Sequence, residues 1–166
     1  MSPRDSQRSR VYAAEGFVRT MFDRAAAHSS RAIDFFGASI TLPPEARFAS
    51  VAAVQRYVDE VLAMPAVSAI RPAPGPVVVR SRRSATAAHY ERTGERAVIA
   101  IPDRISAHWA LRELVVLHET AHHLCEPDGP AHGPEFVATM CALAAAVMGP
   151  EAGHVLRVVY AKQGVR

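Results

Sequence analysis

Residues 114–124, LVVLHETAHHL, carry two histidines four apart with a glutamate directly after the first. On a helix His118 and His122 project from one face about one turn apart, so two imidazoles can bind a single metal ion. Glu119 lies one residue round, beside such a metal but not aimed at it, where a carboxylate can take a proton from a metal-bound water. The chemistry that suits this spacing is zinc-dependent hydrolysis. Zinc lowers the pKa of its water toward ~7, Glu119 acts as general base, and the hydroxide attacks a carbonyl that zinc polarises.

The plain alternative is a helix that carries surface histidines by chance. Leu111, Leu114, Val115, Val116 and Leu117 argue against it, because they leave the helix apolar on nearly every side and predict burial. Two imidazoles and a carboxylate buried without partners are destabilising, and a metal ion satisfies all three.

A catalytic zinc takes three protein ligands and keeps one open position. The candidates for the third are Asp128, His132, Glu135 and His154. An extended HExxHxxGxxH pattern would place it at Asp128, but Cys125 occupies the position of the turn glycine. His132 is preferred, because Pro127, Asp128, Gly129 and Pro130 can reverse the chain and swing it back toward the motif. Asp128 stays open as the alternative ligand or as a hydrogen-bond acceptor behind one. His123 points away from His118 and His122 and is expected beside the site. Tyr160, on the last helix, is a candidate for stabilising a developing oxyanion. His89, His108 and His154 are expected at the surface or satisfied in the core.

The elements that must position these residues follow from apolar spacing. Helices are predicted over about 11–27, 51–64 with Ser50 as cap, 108–124 with Ser106 as cap, from Pro134 onward, and from Pro150 to about Lys162. Residues 32–42 read as one short strand bulged at Gly37, and the proline-rich stretch 65–76 as a loop or linker. Further strands are expected at 77–80, 85–91 and 97–101, the last two forming a hairpin that turns at Thr93-Gly94. The fold class is therefore α+β, as one domain over 11–166 behind a polar, disordered start at 1–10.

The chain has 166 residues, 49 % hydrophobic and 21 % charged, which suits a domain with a real core, and its mean hydropathy is +0.03. No apolar run is long enough to span a bilayer. The net charge is +3, but Lys162 is the only lysine and there is no asparagine. Both residues use A-rich codons, so a GC-rich genome accounts for the arginine excess. A nucleic-acid partner is not expected, and the cluster Arg80, Arg82 and Arg83, with no interleaved aromatics, reads as a solvated strand end. Two cysteines, Cys125 and Cys141, make no disulfide framework, and the first residues lack a signal-peptide core, so a cytoplasmic location is expected.

HETAHH followed by HGPEF resembles the compact zincins of the SprT-like and related minimal metallopeptidase groups, where a third histidine follows HExxH after a short turn. The doubled His122-His123 in a short chain is most similar to a family of small metallohydrolases from GC-rich bacteria. The resemblance covers about 30 residues, from Ser106 to Phe136. It implies a zincin-like fold with a small antiparallel sheet packed on the motif helix and flanking N- and C-terminal helices. It also implies zinc held by His118, His122 and His132, Glu119 as general base, and a peptide or protein substrate. By the same likeness, substrate would add as a strand to an edge formed by Ala97, Val98, Ile99, Ala100 and Ile101. The chain lacks the C-terminal zinc ribbon of the SprT-like pattern, which weakens any DNA-linked role. The competing reading is a degenerate zincin or structural-zinc module that holds a protein or nucleic-acid partner.

Overall fold

A computed structural model describes residues 4–83, 87–104 and 109–166. In chain order its elements are α1 (Arg8–Ala26), β1 (Ala32–Phe35), β2 (Ala38–Thr41), α2 (Val51–Ala63), α3 (Pro65–Ile70), β3 (Val77–Arg82), β4 (His89–Thr93), β5 (Arg96–Pro102), α4 (Glu113–Leu124), α5 (Pro134–Val147) and α6 (Pro150–Lys162). The described residues form an α+β protein. Two units are distinguished, Met1–Glu45 with Cys125–Arg166, and Ala46–Leu124.

In the first unit, α1 buries Val11, Ala14, Val18, Met21, Phe22 and Ala25 along one stripe, as its period predicts, and packs on α6. Residues 32–42 are not one bulged strand. They form an antiparallel hairpin, β1 and β2, because Phe36 and Gly37 both take positive φ (50° and 85°), the backbone of a two-residue turn that matches strand twist. Asp34 fixes that turn by accepting from the Gly37 N–H at 3.3 Å. Helices α5 and α6 begin on Pro134 and Pro150, where proline lacks a donor the helix would not use. They approach closely at Gly153, where an added Cβ would lie 2.6 Å from Ala145 Cβ and 2.8 Å from the Cys141 carbonyl oxygen. Neither obstacle is the end of a flexible side chain. Gly153→Ala is expected to destabilise the protein by about 1–3 kcal/mol, seen as a lower urea midpoint at unchanged slope; an unmoved midpoint would mean that α5 and α6 separate freely.

In the second unit, Ser50 caps α2 as expected, its Oγ accepting from the Ala53 N–H at 3.1 Å. The stretch 65–76 is a linker only in its second half, since Pro65 opens α3 at a position where proline favours a helix. Strands β3, β5 and β4 form one sheet in that order, β3 parallel and β4 antiparallel to β5. The sheet is thus mixed, not purely antiparallel. The β4–β5 hairpin forms as expected, but β4 runs from His89 to Thr93 and the turn is Gly94-Glu95, one residue later than Thr93-Gly94, because Thr93 pairs with Arg96; residues 85 and 86 of the expected strand lie outside the described residues.

The position of β5 corrects the expected substrate edge. Ala97, Val98, Ile99, Ala100 and Ile101 lie in the central strand, paired on both sides and buried throughout, so no added strand can hydrogen-bond to them. Their unbroken apolar run is what a strand covered on both faces requires. On the outer side of β3, Gln55 of α2 donates to the Val77 carbonyl at 3.0 Å and accepts from the Val79 N–H at 2.6 Å, taking the place of a neighbouring strand. The core of this unit joins Val54 and Val58 of α2, Val77 and Val79 of β3, Ile99 and Ile101 of β5, and Val115 and Val116 of α4.

The motif helix starts at Glu113, not at His108; His108 and the proposed cap Ser106 lie outside the described residues. The chain ahead of it is held instead by residues 46–48. Arg112 forms a β-bridge with Arg47, and Phe48 N–H donates to the Leu111 carbonyl at 2.9 Å. The Glu113 carboxylate accepts from the Ala46 N–H at 2.8 Å and from the Tyr57 hydroxyl at 2.5 Å.

Candidate metal centre

Helix α4 is buried on all sides, as its composition predicts, with His122 alone half-buried. His118 is 3 % and Glu119 5 % exposed, so one imidazole and the carboxylate are withdrawn from water, with the half-buried His122 ring beside them. The Nε2 atoms of His118 and His122 lie 3.1 Å apart. Two nitrogens bound tetrahedrally at ~2.0–2.1 Å to one zinc are separated by about 3.3 Å, so this pair is already close to the spacing of a shared ion. The same separation allows an N–H···N hydrogen bond when one ring is protonated at Nε2.

His123 is buried behind the pair. Its Nε2 is 2.8 Å from the Gly75 carbonyl oxygen and its Nδ1 is 3.1 Å from the Tyr90 hydroxyl. The carbonyl can only accept, so Nε2 carries the hydrogen and Nδ1 accepts from Tyr90. Burial lowers the pKa of His123 and raises that of Tyr90, which keeps both neutral in this arrangement. The Tyr90 ring lies nearly parallel to His122, 11° and 6.4 Å between centroids. His123 therefore holds Tyr90 against a candidate ligand.

His132 belongs to the other unit and is 4 % exposed. Its Nδ1 is 2.6 Å from Asp5 Oδ2, and its ring meets Tyr12 and Phe136 edge-on at 5.3 and 5.0 Å. Gln7 donates to its backbone carbonyl at 3.0 Å. Asp5 and Gln7 fall within the polar start expected to be disordered. No sequence signal marks Asp5, which acts across 127 residues.

No protein-family model, curated protein or solved structure matches this chain.

The other candidate ligands are placed differently. Asp128 and His154 are exposed, His154 with its ring against Phe35 at 5.9 Å. Glu135 accepts from the Glu126 N–H at 3.0 Å and so ties the reversal ahead of α5 to its first turn. Tyr160 is 1 % exposed and donates to Glu15 at 2.5 Å. Burial, and then the Glu15 carboxylate, hold its phenol well above the ordinary tyrosine range. Its proton is thus committed to a buried carboxylate in the first unit. In the arginine cluster, Arg80 pairs with Glu91 at 3.0 Å across β5, and Arg82 donates to the Ala87 carbonyl at 2.6 Å.

Proposed function

We propose that the chain is a zinc-dependent hydrolase with a zincin-like fold that cleaves peptide bonds, with His118, His122 and His132 as the residues that would hold the metal. The observation that carries this reading is the pair of Nε2 atoms 3.1 Å apart on a buried helix, with Glu119 next to one of them. An all-nitrogen donor set suits an open catalytic site better than a closed structural one.

Zinc held there supplies Lewis acidity and lowers the pKa of the water it binds. The chain's own residues do the rest. Glu119, on the same helix as two ligands, takes the proton of the attacking water and returns it to the leaving amine. Tyr90, held by His123, limits the freedom of the His122 ring. Tyr160 has no part in this reading. Asp128, exposed beyond the end of α4, is not needed as a ligand.

Cys125 and Cys141 are thiols and not a disulfide, which suits a reducing cytoplasm. No described helix is long and apolar enough to cross a membrane.

The protein as purified is expected to hold about one zinc per chain and to cleave an unfolded protein such as reduced casein, with cleavage lost on chelation and restored by zinc. His132→Ala should weaken zinc binding far more than Asp128→Ala. Zinc without cleavage would favour a structural-zinc module, and the absence of zinc binding would remove the proposal.

A further inference from the structure

We infer that Asp5 is a positioning residue for His132, accepting from Nδ1 so that Nε2 is left as the coordinating nitrogen. The inference rests on the proposed role of His132 as a ligand. An ionised carboxylate only accepts hydrogen bonds, so a separation of 2.6 Å places the ring hydrogen on Nδ1. Metal-bound histidines commonly donate their second nitrogen to a carboxylate, which fixes the tautomer, sets the ring plane and raises the basicity of the ligand.

Three further contacts show that the ring is held and not merely touched. Tyr12 and Phe136 pack edge-on against it, and Gln7 fixes its backbone carbonyl. Asp5 Oδ1, the other carboxylate oxygen, is buried with no hydrogen-bond partner among the described residues. A buried acceptor without a partner is destabilising.

The test uses the full chain, with zinc alone as the probe, titrated against a chromophoric chelator in wild type, Asp5→Ala, Asp5→Asn and His132→Ala. Asp5→Ala is expected to bind zinc 10–100-fold more weakly. Asp5→Asn, which keeps an acceptor in place, should lose less, and His132→Ala should lose more than either. In the metal-free wild type, nitrogen NMR of the His132 ring should show the Nδ1–H tautomer, a readout of the hydrogen bond that does not depend on any variant folding, while the zinc affinities separate positioning from a merely structural contact. An Nε2–H tautomer overturns the inference. So does wild-type zinc affinity in Asp5→Ala when His132→Ala has lost it, a result that leaves the ligand role of His132 standing. Wild-type affinity in His132→Ala would instead overturn the ligand role, and the inference with it.

Discussion

Glu119→Gln is expected to keep about one zinc per chain and to lower the rate of peptide cleavage by on the order of 10²–10⁴, the range that a positioned general base contributes. The two properties separate for a physical reason. Glutamine has the shape and nearly the volume of glutamate, so at 5 % exposure it fills the same space on α4, and the His118–His122 pair next to it keeps its geometry. What it cannot do is accept a proton. A loss confined to kcat, with metal content unchanged, is the signature of a base that acts in the transition state. Glu119→Ala is a poorer probe, because it leaves a void in a buried helix and mixes catalytic loss with destabilisation. If the Gln variant cleaved at the wild-type rate, Glu119 would be a buried helix residue and the hydrolytic reading would fail. If it lost zinc as well, the carboxylate would be acting on the metal itself.

The parts of the molecule that were legible in the sequence are those whose signal is local. The motif helix announces itself through apolar residues on every side of HETAHH, and burial of all its residues but His122 follows from that composition. Ser50, Pro134 and Pro150 mark helix starts because a cap or a first-turn proline acts within one turn. The parts that local signals do not reveal depend on partners far along the chain. A run such as AVIAI can be a central or an edge strand, and it is the parallel pairing with Val77–Arg82 that makes it central here. The late start of α4 at Glu113 depends on Arg47 and Ala46, which claim the preceding residues for a bridge. At residues 36–37 a phenylalanine ahead of the glycine hides the positive-φ turn that an Asn-Gly pair would advertise. For the site, His118, Glu119 and His122 are a matter of helix spacing. Asp5 lies 127 residues from the histidine it meets, and Tyr90 reaches His123 only through the sheet, so neither could be found by spacing at all.

Removing the metal should lower the melting temperature markedly, and the size of that fall can be bounded. A ligand that binds only the folded state adds about 2.7 kcal/mol at 100 times its Kd and about 4.1 kcal/mol at 1,000 times. For a chain of this size each kcal/mol moves the midpoint by roughly 2–4 °C, so excess zinc against a strong chelator should differ by roughly 5–16 °C. Without the ion, His118 at 3 % exposure still has His122 as a neighbour at 3.1 Å. One N–H between two imidazole nitrogens satisfies the pair, so the metal-free protein should still fold, only less stably. His122→Ala provides the control. It removes a half-buried ring, so its own effect on the metal-free midpoint should be modest, yet its midpoint should scarcely respond to zinc or chelator because one of the two α4 ligands is gone. The sign of the difference discriminates between readings. A wild-type midpoint that zinc raises and chelator lowers, together with a His122→Ala midpoint indifferent to both, ties the stabilisation to this pair. A wild-type midpoint indifferent to both would mean that the 3.1 Å contact is an ordinary hydrogen bond between a buried and a half-buried histidine, and that α4 holds no metal.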